Sequence, residues 1–221
     1  GERKIKRMSD FFDTIKSRFN SGNILMKFIF INIGIFIAIQ VLYVITTLFR
    51  LESLNLLSFI AVPSHLSDLV SRFWTPLTYM FVHEGFMHIL FNMLWLYWFG
   101  NIFLSYFHER TLGSLYVLGG LAGAFLFIIA YNTIPLYLES GPGIMIGASA
   151  SVMAIVFATA FYRQDVALNL FLFGRVKIIY IALIVFVIDF FSLSSGSNPG
   201  GHVAHIGGAI AGYLFANQYH K

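Results

Sequence analysis

The 221-residue sequence contains no cysteine, which excludes disulfide bonds, thiolate metal sites and cysteine nucleophiles. Charge is also scarce, because Asp, Glu, Lys and Arg make up only 11% of the residues, whereas 58% are hydrophobic. A soluble domain carries about 25% charged residues. This composition, with a mean hydropathy of +0.78, therefore indicates a protein that lies in a lipid bilayer. No polar block is long enough to form a second, soluble domain.

Six apolar stretches are candidate membrane helices, since a helix that crosses the hydrocarbon needs about 20 mostly apolar residues. They lie near 24–49, 85–107, 112–134, 145–162, 176–192 and 202–219. The sequence thus predicts an all-α membrane protein with a six-helix domain over residues 23–221. Residues 1–22 form a basic segment whose apolar side chains recur at helical spacing, as in a helix on an anionic membrane surface. A frayed basic tail is the alternative.

The fourteen Lys and Arg residues are distributed unevenly between the two sides of the predicted bundle. If the N-terminus lies inside, the inner segments hold twelve of them, and the outer side holds only Arg50 and Arg72. Cytoplasmic segments of membrane proteins carry an excess of Lys and Arg. We therefore expect a multi-pass protein with both termini in the cytoplasm, in the cell (inner) membrane of a bacterium.

Polar side chains are concentrated at the outer ends of the second, fourth and sixth stretches. With the predicted topology, similar depths are expected for His88, Asn92, Ser149 and His205. Polar groups are costly in lipid, so they usually face the bundle interior. Each has a structural explanation when taken alone, since serine can bond to a helix carbonyl and histidine or asparagine can join helices. Their coincidence on three helices favours a shared site.

These residues have the chemistry that an acyl-transfer site requires. A serine becomes nucleophilic when a base takes its proton, and histidine suits that role near neutral pH, so Ser149 and His205 could form a pair. His88 and Asn92 lie four residues apart, hence on one helix face, where both could donate hydrogen bonds to an oxyanion.

Small residues recur every four positions on two of the predicted helices. The fourth stretch has Ala150, Ala154 and Ala158, and the sixth has Gly208 and Gly212. Such patterns allow helix backbones to approach closely. They predict contact between these two helices, which would bring the serine toward the histidine.

Three motifs, in order along the chain, resemble those of the rhomboid intramembrane serine proteases. They are HEGFMHILFNMLW on the second stretch, GASAS on the fourth and AHIGG on the sixth. The resemblance covers roughly residues 70–217, and it implies a rhomboid-like bundle of six transmembrane helices around a water-filled, outward-facing cavity. It also implies a Ser–His dyad in which Ser149 is the nucleophile and His205 the general base. His88 and Asn92, with the Ser149 amide, would then form the oxyanion hole.

The sequence departs from the family pattern after the serine. Ala150 replaces the usual glycine, and Ser151 adds a second hydroxyl two residues on. Residues two apart on a helix point about 200° away from each other, so only one serine can face His205, and the motif position favours Ser149. A dyad needs no third acid, and Asp189, near the outer end of the fifth stretch, is expected to face the membrane interface rather than His205.

A second departure concerns the first external loop. Trp74 is followed by Thr75 instead of the arginine that some family members have there. The pattern therefore leaves open how firmly this loop is held.

The function implied by the resemblance is hydrolysis of peptide bonds in or beside the transmembrane segments of other membrane proteins. The expected partners are transmembrane substrates and the lipid bilayer, without nucleic acid, cofactor or metal. One alternative is a catalytically inactive relative that binds membrane clients, although the serine and the histidine are both present. Another is a small transporter or channel, for which a polar cluster is also typical, although no inverted repeat and no charged pair in mid-span are evident. The substrate and the oligomeric state do not follow from the sequence.

Overall fold

Six helices lie at the positions of the six apolar stretches in the computed structural model, which describes residues 17, 19, 21–51, 56–170, 174–194 and 198–219. They are α1 (Ile24–Leu48), α2 (Phe86–Leu104), α3 (Glu109–Thr133), α4 (Ser149–Tyr162), α5 (Ile178–Ser192) and α6 (Pro199–Tyr219). The chain is therefore mostly helical, as predicted. Most of the basic segment 1–22 lies outside the described residues, so the surface helix predicted there stays a prediction.

Two short antiparallel strand pairs depart from the purely helical prediction. Strand β1 (Val62–Pro63) pairs with β2 (Ile144–Met145), and β3 (Ala167–Leu170) pairs with β4 (Gly174–Lys177). The all-α prediction is wrong for these segments. The β1–β2 pairing depends on which loops the bundle brings together, whereas β3 and β4 are only three residues apart in the chain and pair locally. Short helical segments complete the fold: Leu56–Ile60, Leu66–Ser71, Thr75–Thr78, Tyr79–Phe81 and Pro135–Glu139.

Three of the described helices, α1, α2 and α3, are long and apolar enough to cross a membrane by length and composition. The apolar helices α4 and α5 are shorter, with 14 and 15 residues. At 1.5 Å per residue, 14 residues rise only about 21 Å, less than the roughly 30 Å of a bilayer core. Helix α4 is instead enclosed by protein, since every residue from Ala150 to Ala160 is buried. The chain is thus a helical membrane protein with a central, short helix.

The predicted contact between α4 and α6 is confirmed. A Cβ atom added to Gly208 would overlap the carbonyl oxygen of Ala150, and one added to Gly212 would overlap that of Ala154. The α6 glycines therefore lie directly on the backbone of α4, as small-residue patterns allow. This contact fixes the position of α6 relative to the start of α4.

Helix α3 also packs through glycines, a role that the sequence analysis did not assign. A Cβ on Gly119 would overlap the Ala154 side chain, and a Cβ on Gly207 of α6 would lie 2.6 Å from the carbonyl oxygen of Ala122. Helices α3, α4 and α6 are thus packed mutually at close range. Larger residues would separate them and shift α4.

The loop that joins α1 to α2 is held by hydrogen bonds from its second half to its first half. The Trp74 indole nitrogen donates to the Phe59 carbonyl at 2.7 Å, and the Thr78 hydroxyl donates to the Ile60 carbonyl at 2.9 Å. The β1–β2 pair then joins this loop to the segment that leads into α4. The loop is therefore anchored without an arginine after Trp74.

Candidate active site

A cavity of about 440 Å³ lies between α2, α4, α5 and α6. All four residues that the sequence analysis predicted line it: His88, Asn92, Ser149 and His205. Most of its other lining residues are apolar, among them Phe91, Trp95 and Met153. These four polar side chains, which would be costly in contact with lipid, thus lie together inside the bundle.

Ser149 is the first residue of α4 and is half-buried. The chain turns into this helix at Gly147, whose φ of +123° is accessible mainly to glycine. The Gly147 amide donates to the Tyr79 carbonyl at 3.0 Å, which ties the turn to the loop between α1 and α2. At this position the Ser149 amide belongs to the first helical turn, where N–H groups have no partner within the helix and the dipole favours negative charge.

Ser151 points in another direction. Its side chain is 1% exposed, and a Cβ on Gly120 of α3 would lie 2.7 Å from the Ser151 hydroxyl oxygen. Ser151 is not among the residues that line the cavity, whereas Ser149 is. The two serines therefore face different neighbours, and only Ser149 is presented to the cavity.

His88 and Ser149 meet beside Gly147. A Cβ on Gly147 would stand 2.8 Å from His88 Nε2 and 3.7 Å from Ser149 Oγ, so the absence of a side chain there leaves room for both. On the same helix, Asn92 donates one N–H to the His88 carbonyl at 2.9 Å. Its amide has a second N–H for another acceptor. Helix α2 thus presents two potential donors on the side of the cavity where Ser149 lies.

His83, which precedes α2, packs behind His88 and was not singled out from the sequence. The two imidazole centroids are 5.0 Å apart with planes at 70°, and the His83 side chain is 1% exposed. Burial, together with the neighbouring His88 ring, lowers the pKa of His83 to about 4. His83 is therefore neutral near pH 7 and gives His88 an uncharged packing surface.

Asp189 contacts His205, contrary to the sequence-based prediction. Its Oδ1 accepts hydrogen bonds from His205 Nδ1 at 2.9 Å and from His202 Nδ1 at 2.7 Å. The Asp189 side chain is buried and lines the cavity, so the expectation that it faces the membrane interface is wrong.

The helical spacing explains this placement of Asp189. The buried residues of α5 are Ile178, Ala182 and Asp189, which are separated by four and seven positions and therefore share one face. That face packs toward the bundle. His202 and His205 are three residues apart on α6, and this spacing likewise places both side chains on one face. The His202–His205 spacing was visible in the sequence, but α5 is apolar almost throughout, so only the structure shows which of its faces carries Asp189 toward the bundle.

Ser149 and His205 face a common cavity without direct bonding. Between these two described side chains, the structure gives no hydrogen bond. Because Nδ1 of His205 donates to Asp189, Nε2 is the ring nitrogen that remains to accept a proton. Catalytic hydrogen bonds are often long in ligand-free enzymes and tighten when substrate binds.

Among the described residues, Asp189, His202 and His205 also form the one group that could hold a metal ion. Their ligand atoms all lie within 4.8 Å of one another. In the arrangement present, one carboxylate oxygen serves both imidazole N–H groups at 2.7 and 2.9 Å. This is a hydrogen-bonded cluster, and the donors must lose their protons from Nδ1 before a metal could bind there.

The fold and the cavity together define a helical membrane protein with a serine, two histidines, two asparagines and an aspartate around an internal cavity. The family model described as the Rhomboid domain matches residues 70–221. The chain belongs to the rhomboid family.

Several curated relatives share this similarity. The chain is 32% identical over 149 residues to the Rhomboid protease GlpG of Haemophilus influenzae, which covers 66% of this chain and 69% of the relative. It is 28% identical over 147 residues to the mitochondrial RHOMBOID-like protein 12 of Arabidopsis thaliana, covering 62% of this chain and 44% of that protein. It is 29% identical over 142 residues to RHOMBOID-like protein 4 of the same plant. The chain spans less than half the length of these two plant relatives.

Proposed function

We propose that this chain is an intramembrane serine endopeptidase that cleaves transmembrane or juxtamembrane segments of other membrane proteins. The observation that carries the proposal is the convergence of Ser149, His205, His88 and Asn92 on one cavity inside a bundle of apolar helices. Membership of the rhomboid family supports it, as does the similarity to a relative described as a protease. The catalytic domain would be the six-helix unit over residues 23–221.

In the proposed reaction Ser149 Oγ attacks the scissile carbonyl carbon while His205 Nε2 accepts its proton. The resulting oxyanion would accept hydrogen bonds from the Ser149 amide and from the side chains of His88 and Asn92. Collapse of the tetrahedral intermediate expels the amine, which takes the proton from His205. A water molecule, deprotonated by His205, then hydrolyses the acyl-enzyme and frees Ser149.

The proposed orientation places both chain termini in the cytoplasm. The Lys and Arg distribution of twelve against two supports it. The starts of α2, α4 and α6, which carry the site residues, then lie toward the outer face. The bacterial inner membrane stays a prediction, since the similar proteins include both bacterial and plant ones.

The proposal is tested by cleavage of a reporter with one transmembrane segment, reconstituted in liposomes with the full chain. Ser149→Ala is expected to abolish cleavage, because no other hydroxyl of α4 is presented to the cavity. Ser151→Ala is the matched control and is expected to keep most of the activity, since that serine packs against α3. If the wild-type chain binds the reporter without cleaving it, the result would favour the alternative of a catalytically inactive client-binding protein. Activity that survives in Ser149→Ala but not in Ser151→Ala would overturn the assignment of the nucleophile.

A further inference from the structure

We propose that Asp189 is a positioning residue that fixes the orientation and tautomer of His205 within the proposed Ser–His dyad. The inference rests on the proposed function, and it extends the dyad that the family resemblance implies. It starts from the contact between Asp189 Oδ1 and His205 Nδ1 at 2.9 Å.

Three features of the contact favour a role toward His205. First, Asp189 and His205 both line the cavity that contains Ser149. Second, Asp189 is only 4% exposed, so the interaction of its carboxylate with the imidazole is weakly screened by water. Third, it accepts from Nδ1 rather than from Nε2, which is the geometry in which an aspartate supports a catalytic histidine.

The bond determines which nitrogen carries the proton. An ionised carboxylate accepts hydrogen bonds and cannot donate them, so His205 must hold its neutral-state proton on Nδ1. Nε2 then has a lone pair for the Ser149 proton. After proton transfer the imidazolium keeps the Nδ1 bond, and the buried negative charge of Asp189 stabilises it. Without the aspartate, the imidazole could rotate or adopt the tautomer that has no free lone pair at Nε2.

His202 holds the same carboxylate from a different position. It donates from Nδ1 to Asp189 Oδ1 at 2.7 Å, and it is not among the residues that line the cavity. Because His202 and His205 lie one helical turn apart, their shared acceptor is fixed against α6 at two points. His202 thus orients the carboxylate, whereas His205 faces the site.

The competing explanation is that the Asp189 carboxylate only stabilises the fold. Four variants distinguish this explanation from a positioning role toward His205. Asp189→Asn keeps size and polarity, but its amide can donate to Nδ1 and so favour the tautomer with the proton on Nε2. Asp189→Ala removes the group and leaves a space at the edge of the cavity. His202→Ala removes the other donor while the bond to His205 remains. Ile188→Ala, at an exposed position of α5 next to Asp189, controls for disturbance of that helix.

The experiment compares reporter cleavage by these variants of the full chain in liposomes, with thermal stability measured in the same preparations. Asp189→Asn and Asp189→Ala are expected to lose at least about tenfold in kcat with little change in KM; the equivalent Asn substitution in a soluble serine protease costs about 10⁴-fold. Formate should partly restore Asp189→Ala but not Asp189→Asn, since only the alanine variant has room for a carboxylate. His202→Ala and Ile188→Ala should lose far less.

A second measurement reads the tautomer directly, from side-chain ¹⁵N shifts of His205 in protein labelled with ¹⁵N-histidine. The wild type should show the proton on Nδ1, and Asp189→Asn should show it on Nε2. This readout does not need activity, so it tests the positioning role even if the wild type proves inactive. The inference would be overturned by equal losses of kcat in Asp189→Ala and His202→Ala without formate rescue, or by an unchanged His205 tautomer in Asp189→Asn. The proposed function is tested separately, by Ser149→Ala.

Discussion

At the scale of single residues, the site depends on which side chains are absent as much as on those that are present. Gly147 has no Cβ at the point where His88 and Ser149 approach each other, and its positive φ turns the chain into α4. Ser151 is two residues from Ser149 yet packs against α3. The direction of the backbone over these few residues therefore determines which of the two serine hydroxyls faces the cavity.

Asn92 is predicted to contribute to catalysis rather than only to the structure of α2. Removal of one oxyanion donor typically costs about 10²–10³ in rate, and the Ser149 amide and His88 would remain, so Asn92→Ala should be slow but not inactive. The measurement is kcat for reporter cleavage, with the Ser149→Ala rate as the background.

Asn101→Ala supplies the control for Asn92. Asn101 makes the same kind of bond on the same helix, from its amide to the Tyr97 carbonyl at 2.6 Å, but it does not line the cavity. It should behave like the wild type. If both asparagine variants cleave at the wild-type rate, Asn92 has no part in the reaction.

At the scale of helices, glycine and alanine on α3, α4 and α6 determine the geometry of the site. Gly208 and Gly212 contact the α4 backbone in the turns that follow Ser149. Since His205 lies one turn before Gly208 on α6, the same contact sets the distance between the proposed base, His205, and the proposed nucleophile, Ser149. Packing and catalysis are therefore expected to fail together when this contact is disturbed.

Gly208→Ala is expected to destabilise the protein, because its Cβ would overlap the Ala150 carbonyl. Overpacking of this kind costs about 1–3 kcal/mol, and cleavage should fall with it because α6 is pushed away from Ser149. The measurement is the midpoint of thermal unfolding in detergent.

The matched variant for Gly208 is Gly34→Ala on α1. An added Cβ at Gly34 has nothing within 4 Å, and replacing a mid-helix glycine by alanine gains up to about 1 kcal/mol in helix propensity. Gly34→Ala should therefore keep or raise the midpoint. Equal midpoints for the two variants would contradict close packing of α4 on α6.

Prediction from the sequence succeeded where the signal is local. The length of the apolar stretches predicted the positions of helices, three of which are long and apolar enough to cross a membrane, and the spacing of Ala150, Ala154, Gly208 and Gly212 predicted the α4–α6 contact. The β1–β2 pair was missed because it joins residues about 80 positions apart through only two residues per strand. The prediction for Asp189 was wrong because its position near the end of α5 indicates only its depth, whereas the helical face that it shares with Ile178 and Ala182 determines its neighbours.

At the scale of the whole molecule, the fold places polar chemistry inside an apolar bundle. The short helix α4 is enclosed by protein, whereas the helices α1, α2 and α3 are long and apolar enough to cross the bilayer. Many of their large hydrophobic side chains are exposed, for example Tyr43 and Phe125 at 66%. This distribution suits a bilayer, in which apolar surface need not be buried.

The proposed orientation predicts which loops can be reached from outside. Because the sequence has no cysteine, single substitutions give unambiguous labelling sites. Glu139→Cys, after α3, should react with a membrane-impermeant maleimide in intact cells. Gln164→Cys, between α4 and α5, should react only after permeabilisation. The reverse pattern would mean that the bundle has the opposite orientation and that the site lies toward the cytoplasm.

The most direct measurement of the central claim is covalent labelling of the full chain by a fluorophosphonate in detergent, with the modified residue identified by peptide mass spectrometry. A serine activated by a histidine reacts with such a probe, whereas an unactivated hydroxyl does not. A single adduct on Ser149 is expected, which is lost in His205→Ala and retained in Ser151→Ala. An adduct on another residue, or labelling of Ser149 that is as fast in His205→Ala as in the wild type, would contradict the claim.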